Sequence, residues 1–201
     1  MADYTVISEV SEALARTLWQ EIQADPQVNA LIDNENRISL ESPFDLRDND
    51  SVRLSIHLYR IVEDAATKNQ FPVQGHGTRL RKPPLTLDLL YLVTPLVGSP
   101  REQQIVLGKV MQILYDRAIL EGADLAGSLA GSVEEIRVVL NPVTLEETTR
   151  VWQALEMSYR LSVCYMARVA MVDSRREQLT QRVVSKHSEY GEVIKQKDAN
   201  V

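Results

Sequence analysis

The 201-residue chain has one cysteine, Cys164, and only three histidines, His57, His76 and His187, far apart in sequence. A single cysteine excludes an intramolecular disulfide and fits a reducing compartment. With so few soft ligands, a zinc site of the usual kind is not expected. No apolar run approaches the roughly 18–20 residues that span a bilayer, so no membrane partner is expected. The opening "MADYTVISEV" lacks a basic n-region and an apolar h-region, so no secretory signal is expected either. Positive charge is also short: 22 Lys and Arg stand against 28 Asp and Glu, a formal net charge of −6. That argues against a nucleic-acid partner held by phosphate neutralisation. There is no internal repeat. The length fits one domain, or one domain and a tail, with room for a sizeable core.

What is present is strong local patterning. Val6, Val10, Ala13, Leu14, Thr17, Leu18 and Ile22 recur at three- and four-residue steps, which predicts an amphipathic helix over 4–24 with Asp3 as its cap. Asp25-Pro26 ends it, because the residue before proline avoids helical dihedrals. A short strand is predicted over 37–41. Val52, Leu54, Ile56 and Leu58 alternate with Arg53, Ser55, His57 and Tyr59, the period of a half-buried strand. Residues 63–84 have no periodicity and carry Pro72, Gly75, Gly77, Pro83 and Pro84, which predicts a long loop or an open hairpin tip. In "KPPLTLDLLYLVTP", residues 82–95, Leu85, Leu87, Leu89, Tyr91 and Val93 share one face. The opposite face holds Thr86, Asp88, Leu90, Leu92 and Thr94, polar first and then apolar, so it should be only partly covered.

Ser99-Pro100-Arg101-Glu102 is a helix start with cap, proline and returning acid in place, predicting a helix to about Leu120 that includes Arg117 in its stripe. A third long strand is predicted over 133–140. Thr144 to Glu147 forms a second capping box, opening a short helix with Leu145, Trp152 and Leu155 inward. The last long strand is predicted over 159–172, with Tyr159, Leu161, Val163, Tyr165, Ala167, Val169 and Met171 on one face. The folded part should span 1–174. Residues 175–201 read as a short charged tail of six basic and four acidic residues, helical around 176–186. The order α, β, β, β, α, β, α, β predicts an α/β (α+β) fold, a mixed and largely antiparallel sheet flanked by helices.

Chemistry-bearing constellations are scarce. "GHGTRL", residues 75–80, lacks the lysine and strand-to-helix setting of a phosphate loop. Cys164 lies mid-strand and reads as buried and structural rather than reactive. His57 has no acid or nucleophile placed beside it by the sequence. Asp88 on a strand face is expected to be solvated or paired with a cross-strand base, for which Arg168, Arg160 and Arg137 are the candidates. Glu134 and Glu135, neighbours on a predicted strand, would point to opposite faces and share no metal. Trp19 and Trp152 each sit on a predicted helix, and Trp152, on the inward stripe, reads as core. No catalytic, metal or cofactor site is assigned. The basic residues Arg79, Arg81, Lys82, Arg175 and Arg176 are the candidate interface, suited to an acidic protein surface.

Several stretches together carry a resemblance. "MADYTVISEVSEAL", "SVRLSIHLYRIVED", "RKPPLTLDLLYLVTP", "GKVMQILYD", "GSLAGSVEEIRVVLNPVTLEETTRVWQAL" and "YRLSVCYMARVAMVDS" occur in the order and spacing of one family. The chain resembles, over about residues 1–174, the cap proteins of extracellular contractile injection systems of the antifeeding-prophage and virulence-cassette type. The family is similar in role to the tail terminators of contractile phages. The resemblance implies a tail-terminator-like fold and a non-enzymatic cap with no cofactor. It implies a homo-oligomeric ring, a hexamer, at the end of tube and sheath distal to the baseplate, with tube and sheath proteins as partners. Assembly would be cytoplasmic, and the particle would then be released. A non-enzymatic chaperone or adaptor for a tail component is the alternative, and an enzyme built on Asp88, His57 or Cys164 the third reading.

Overall fold

The computed structural model describes residues 4–64, 73–74, 79–81, 83–130, 135–173 and 177–179. Helix α1 (Val6–Ile22) buries Val6, Val10, Ala13, Leu14, Thr17, Leu18 and Ile22, the stripe its periodicity dictates. Thr5 sits at its N-cap position; Asp3 lies outside the described residues. Asp25 then accepts hydrogen bonds from the backbone N–H groups of Gln27 and Val28, starting a single turn, α2 (Pro26–Asn29). Lys109 Nζ meets the same carboxylate at 3.0 Å, tying this turn to helix α3 (Pro100–Asp116).

Six strands make the main sheet: β1 (Ile38–Ser39), β2 (Leu54–Glu63), β5 (Leu85–Pro95), β6 (Ile119–Leu120), β7 (Ile136–Leu140) and β8 (Val163–Val172). Their spatial order is β1-β2-β5-β8-β7-β6. Only β1 and β2 run parallel; the other pairs are antiparallel. One face of this sheet packs on α1 and α3 and forms the main core, around Leu54, Ile56, Leu89, Tyr91, Ile136 and Ala167. Tyr91 and Ser11 share a 2.8 Å hydrogen bond inside it, so the buried phenol keeps a partner. Helix α4 (Leu145–Ala154) lies on the other face, where fully buried Trp152 packs on Leu92 and Cys164.

Two β-bulges adjust the sheet. Leu58 pairs with Tyr91 and Arg60 with Leu90, leaving Tyr59 as an extra residue in β2. Leu87 pairs with Ala170 and Leu89 with Ala167, so Arg168 and Val169 both stand opposite Asp88. Strict alternation therefore fails in β8. Tyr165 and Ala167 face the main core as expected, but beyond the bulge it is Ala170, not Met171, that is fully buried there.

Other expectations shift for local reasons. The α3 helix ends at Asp116, and Ile119–Leu120 leaves to pair with β7. Arg117 sits past the helix, bonded to Glu21 at 2.9 Å and Asp124 at 3.4 Å. Strand β8 starts at Val163, and Tyr159 and Leu161 ahead of it are 48% and 41% exposed. Central strand β5 is covered on both faces, contrary to the partly open face expected: Leu90 is 8% exposed, Leu92 and Thr94 are fully buried. Helix α4 covers Leu92, and the segment after β1 covers the edge, where Ser55 Oγ donates to the Glu41 carbonyl at 2.7 Å. Exposed apolar side chains of the sheet lie at the start of β5, with Leu85 at 46%, at the end of β2, with Ile61 at 45%, and on β7, with Val139 at 37% and Leu140 at 49%.

Residues 63–84 do contain an open hairpin. Strands β3 (Val73–Gln74) and β4 (Arg79–Arg81) pair antiparallel, and β9 (Glu177–Leu179) adds to β4. The helix expected over 176–186 is thus a strand where it is described, because its backbone pairs with β4.

Candidate functional site

Asp88 stands where the β8 bulge puts two residues against one. Arg168 Nε lies 3.8 Å from its Oδ1, with the side chains 14% and 47% exposed. The cross-strand base is therefore Arg168, set there by the bulge; Arg137 instead approaches Glu135, at 3.9 Å. Glu135 lies just ahead of β7 rather than on it, and Glu134 lies outside the described residues.

The other two candidates line one cleft of about 630 Å³ between α4 and the sheet, shared with Tyr59, Arg60, Asn141 and Arg150. His57 and Cys164 flank Leu92 on adjacent strands. Two strand spacings separate them by roughly 9–10 Å, too far for a thiol–imidazole pair. Burial lowers the His57 pKa, against the opposing pull of Asp45 and a hydrogen bond to the Leu40 backbone, so the imidazole is neutral at pH 7. Burial raises the Cys164 thiol, and the Glu147 charge adds to that against a hydrogen bond with Tyr59. Burial and Cys164 together push the Tyr59 phenol up to about 12, so neither partner supplies an anion. The Tyr59–Cys164–Asn141 contacts are invisible in the sequence, because they join residues from three separate elements.

This arrangement predicts a protected thiol. Cys164 is 4% exposed, so Ellman's reagent at pH 8 should label native protein only as fast as α4 lifts away, and rapidly in urea. Native labelling at the rate of a free thiol would show that the cleft is open to reagents. Among the described residues no cluster of three His, Cys, Asp or Glu is placed to hold a metal, and no helix is long and apolar enough to cross a membrane. Trp152 is core as expected, its Nε1–H donating to Ser162 Oγ at 3.2 Å, and Trp19 packs half-buried against the main core.

For the candidate interface, the structure places the backbone of Arg79 and Arg81 on β4. Arg79 stands in register with Leu179 and Arg81 with Glu177 of β9. Lys82, Arg175 and Arg176 lie outside the described residues. The long loop and the start of the tail, more than ninety positions apart in the chain, thus meet in one small sheet.

The described residues thus form a mixed sheet with a helix pair on one face and one short helix on the other. The family model for the Pvc16 N-terminal domain matches residues 9–186. The chain belongs to the Pvc16 N-terminal domain family. No curated protein matches it in sequence. Its fold is that of solved terminators. The sheath/tube terminator of PVC, an extracellular contractile injection system, in the extended state, aligns with a TM-score of 0.61 and 20% identity over 96% of this chain. The tube terminating cap of the anti-feeding prophage aligns with a TM-score of 0.55 and 20% identity over 90% of this chain. This Pvc16 N-terminal domain spans 65% and 60% of those two chains.

Proposed function

We propose that this Pvc16 N-terminal domain is the terminator portion of a structural, non-enzymatic cap in a phage-tail-like contractile injection system. Copies form a sixfold ring at the end of tube and sheath distal to the baseplate, stop their polymerisation and tie the last sheath layer to the tube. The cap assembles in the cytoplasm and stays with the released particle. The observation that carries this reading is the family match over 9–186 together with a terminator fold that takes in 96% of the chain. The local chemistry agrees with it: burial raises the Cys164 thiol, His57 stands two strands away from it, and Asp88, outside the cleft, lies against Arg168.

The β4–β9 strands are the proposed contact with tube, sheath or neighbouring subunits, with Arg79, Arg81, Lys82, Arg175 and Arg176 as its basic residues. Deleting residues 70–81 removes β3 and β4 and leaves all six strands of the main sheet. The expected outcome is a monomer with unchanged melting temperature that no longer enters particles. Normal particles from the deleted chain would refute this contact. Retention of the wild-type chain in purified particles separates a cap from an adaptor that leaves after assembly.

A further inference from the structure

A ring closed by head-to-tail contacts needs one surface on each subunit that fits a different surface on the next. The described residues offer such a pair on opposite layers of the fold. On the α4 side, the cleft of about 630 Å³ is lined by half-buried Val143, Val151 and Leu155, and exposed Arg60 and Arg150 also line it. On the α1–α3 side, the last turn of α3 carries Tyr115, 84% exposed. Met111 lies one turn earlier at 38%, and Ile119 just beyond at 41%. A protruding aromatic among exposed apolar neighbours is the usual form of an interface anchor, and a partly apolar cleft is the usual form of its receptor.

The charges match as well. Asp116 and Glu121 beside Tyr115 are exposed, and the C-terminus of a 17-residue helix adds partial negative charge. The nearby cation, Arg117, is already engaged by Glu21 and Asp124. At the cleft, Arg150 meets Glu146 at 2.6 Å, but both side chains are 74% exposed, so exchanging that partner costs little. Glu147, which also lines the cleft, accepts from the Thr144 N–H at 2.8 Å and from its hydroxyl at 2.9 Å, holding the helix start.

We propose that Tyr115 and Asp116 of one copy dock into the α4 cleft of the next, the ring against half-buried Val143, Val151 and Leu155 and the carboxylate toward Arg60 and Arg150. The contact rests on the ring reading proposed above and gives it a specific joint. Its test is native mass spectrometry of the whole chain with four variants, each checked for an unchanged melting temperature. Tyr115→Ala, Asp116→Arg and the Arg60→Glu/Arg150→Glu pair are each expected to weaken assembly about thirtyfold or more. Asp116→Arg combined with Arg60→Glu/Arg150→Glu is expected to restore the ring. Rings that persist in all three single-surface variants, or a combined variant that fails to recover, overturn this joint and leave the ring reading standing. Variants that ring normally alone but fail only in whole particles also overturn it and assign the cleft to a tube or sheath partner. A wild-type chain that stays monomeric overturns the ring reading and the joint together.

Discussion

Replacing Trp152 by alanine is expected to lower stability by about 3–5 kcal/mol, the range for deleting a fully buried indole. For a chain of this size that corresponds to a melting temperature about 6–20 °C lower. The reason is how little else holds α4. Its only buried residues are Thr148 and Trp152. The indole fills the small second core with Leu92 and Cys164, and half-buried Tyr59, Val143, Val151, Leu155 and Met157 pack around it. Without it, the capping box at Thr144 and Glu147 still starts the helix, but ten residues are too few to persist unpacked. Amide exchange should therefore accelerate in α4 while α1 and β5 stay protected. Trp152→Phe should lose only about 1–2 kcal/mol, for the Ser162 hydrogen bond and some area. Leu145, expected to face inward, is 69% exposed at the first turn of α4, so Leu145→Ala should stay within about 0.5 kcal/mol. Unchanged unfolding of the Trp152→Ala protein would mean that α4 is held by something other than this side chain.

Gly127→Ala should cost about 2–4 kcal/mol, although it adds one methyl group near the surface. Gly127 has φ +62°, where a Cβ is strained by roughly 1–2 kcal/mol, and an added Cβ would overlap the Glu9 carboxylate. That carboxylate is not free to move aside. It accepts from Ser128 N–H at 3.0 Å and from Ser128 Oγ at 2.7 Å, and so ties α1 to the connection after β6. Burial raises the Glu9 pKa, but the Ser128 and Thr5 hydrogen bonds outweigh it and hold the carboxyl below its ordinary value of 4.5. Its stabilisation is thus complete above pH 4.5 and is lost as pH falls through the lowered value. A double-mutant cycle separates the two costs. With Glu9→Ala already in place the overlap is gone, and Gly127→Ala should then cost only the backbone strain, about 1–2 kcal/mol. Additive changes in urea denaturation would show that the glycine and the carboxylate do not interact.

Legibility in the sequence followed the range over which each feature is encoded. The α1 stripe, the Ser99 and Thr144 capping boxes and the faces of β5 were readable, since each depends on residues within a few positions of one another. The bulges at Tyr59 and opposite Asp88 were not, because a bulge exists only relative to a partner strand. That single irregularity selected Arg168 from three candidate arginines and moved the core position of β8 from Met171 to Ala170. The cleft was hidden for the same reason: Tyr59, Asn141 and Cys164 come together only once α4 has settled on β5 and β8. Arg79 and Arg81 stood out by charge, but their strand's pairing with 177–179 is long-range and left no local trace. Tyr115 was passed over because an outward aromatic at the end of a helix looks ordinary until the inward face is known.

The most direct measurement is electron cryomicroscopy of particles from cells with and without this chain, recording length and the end opposite the baseplate. With the chain, particles should share one length, and their far ends should carry a closed ring of density over tube and sheath. Without it, lengths should scatter and the far ends should be open. Particles of uniform length, closed at both ends in cells lacking the chain, would contradict the terminator role.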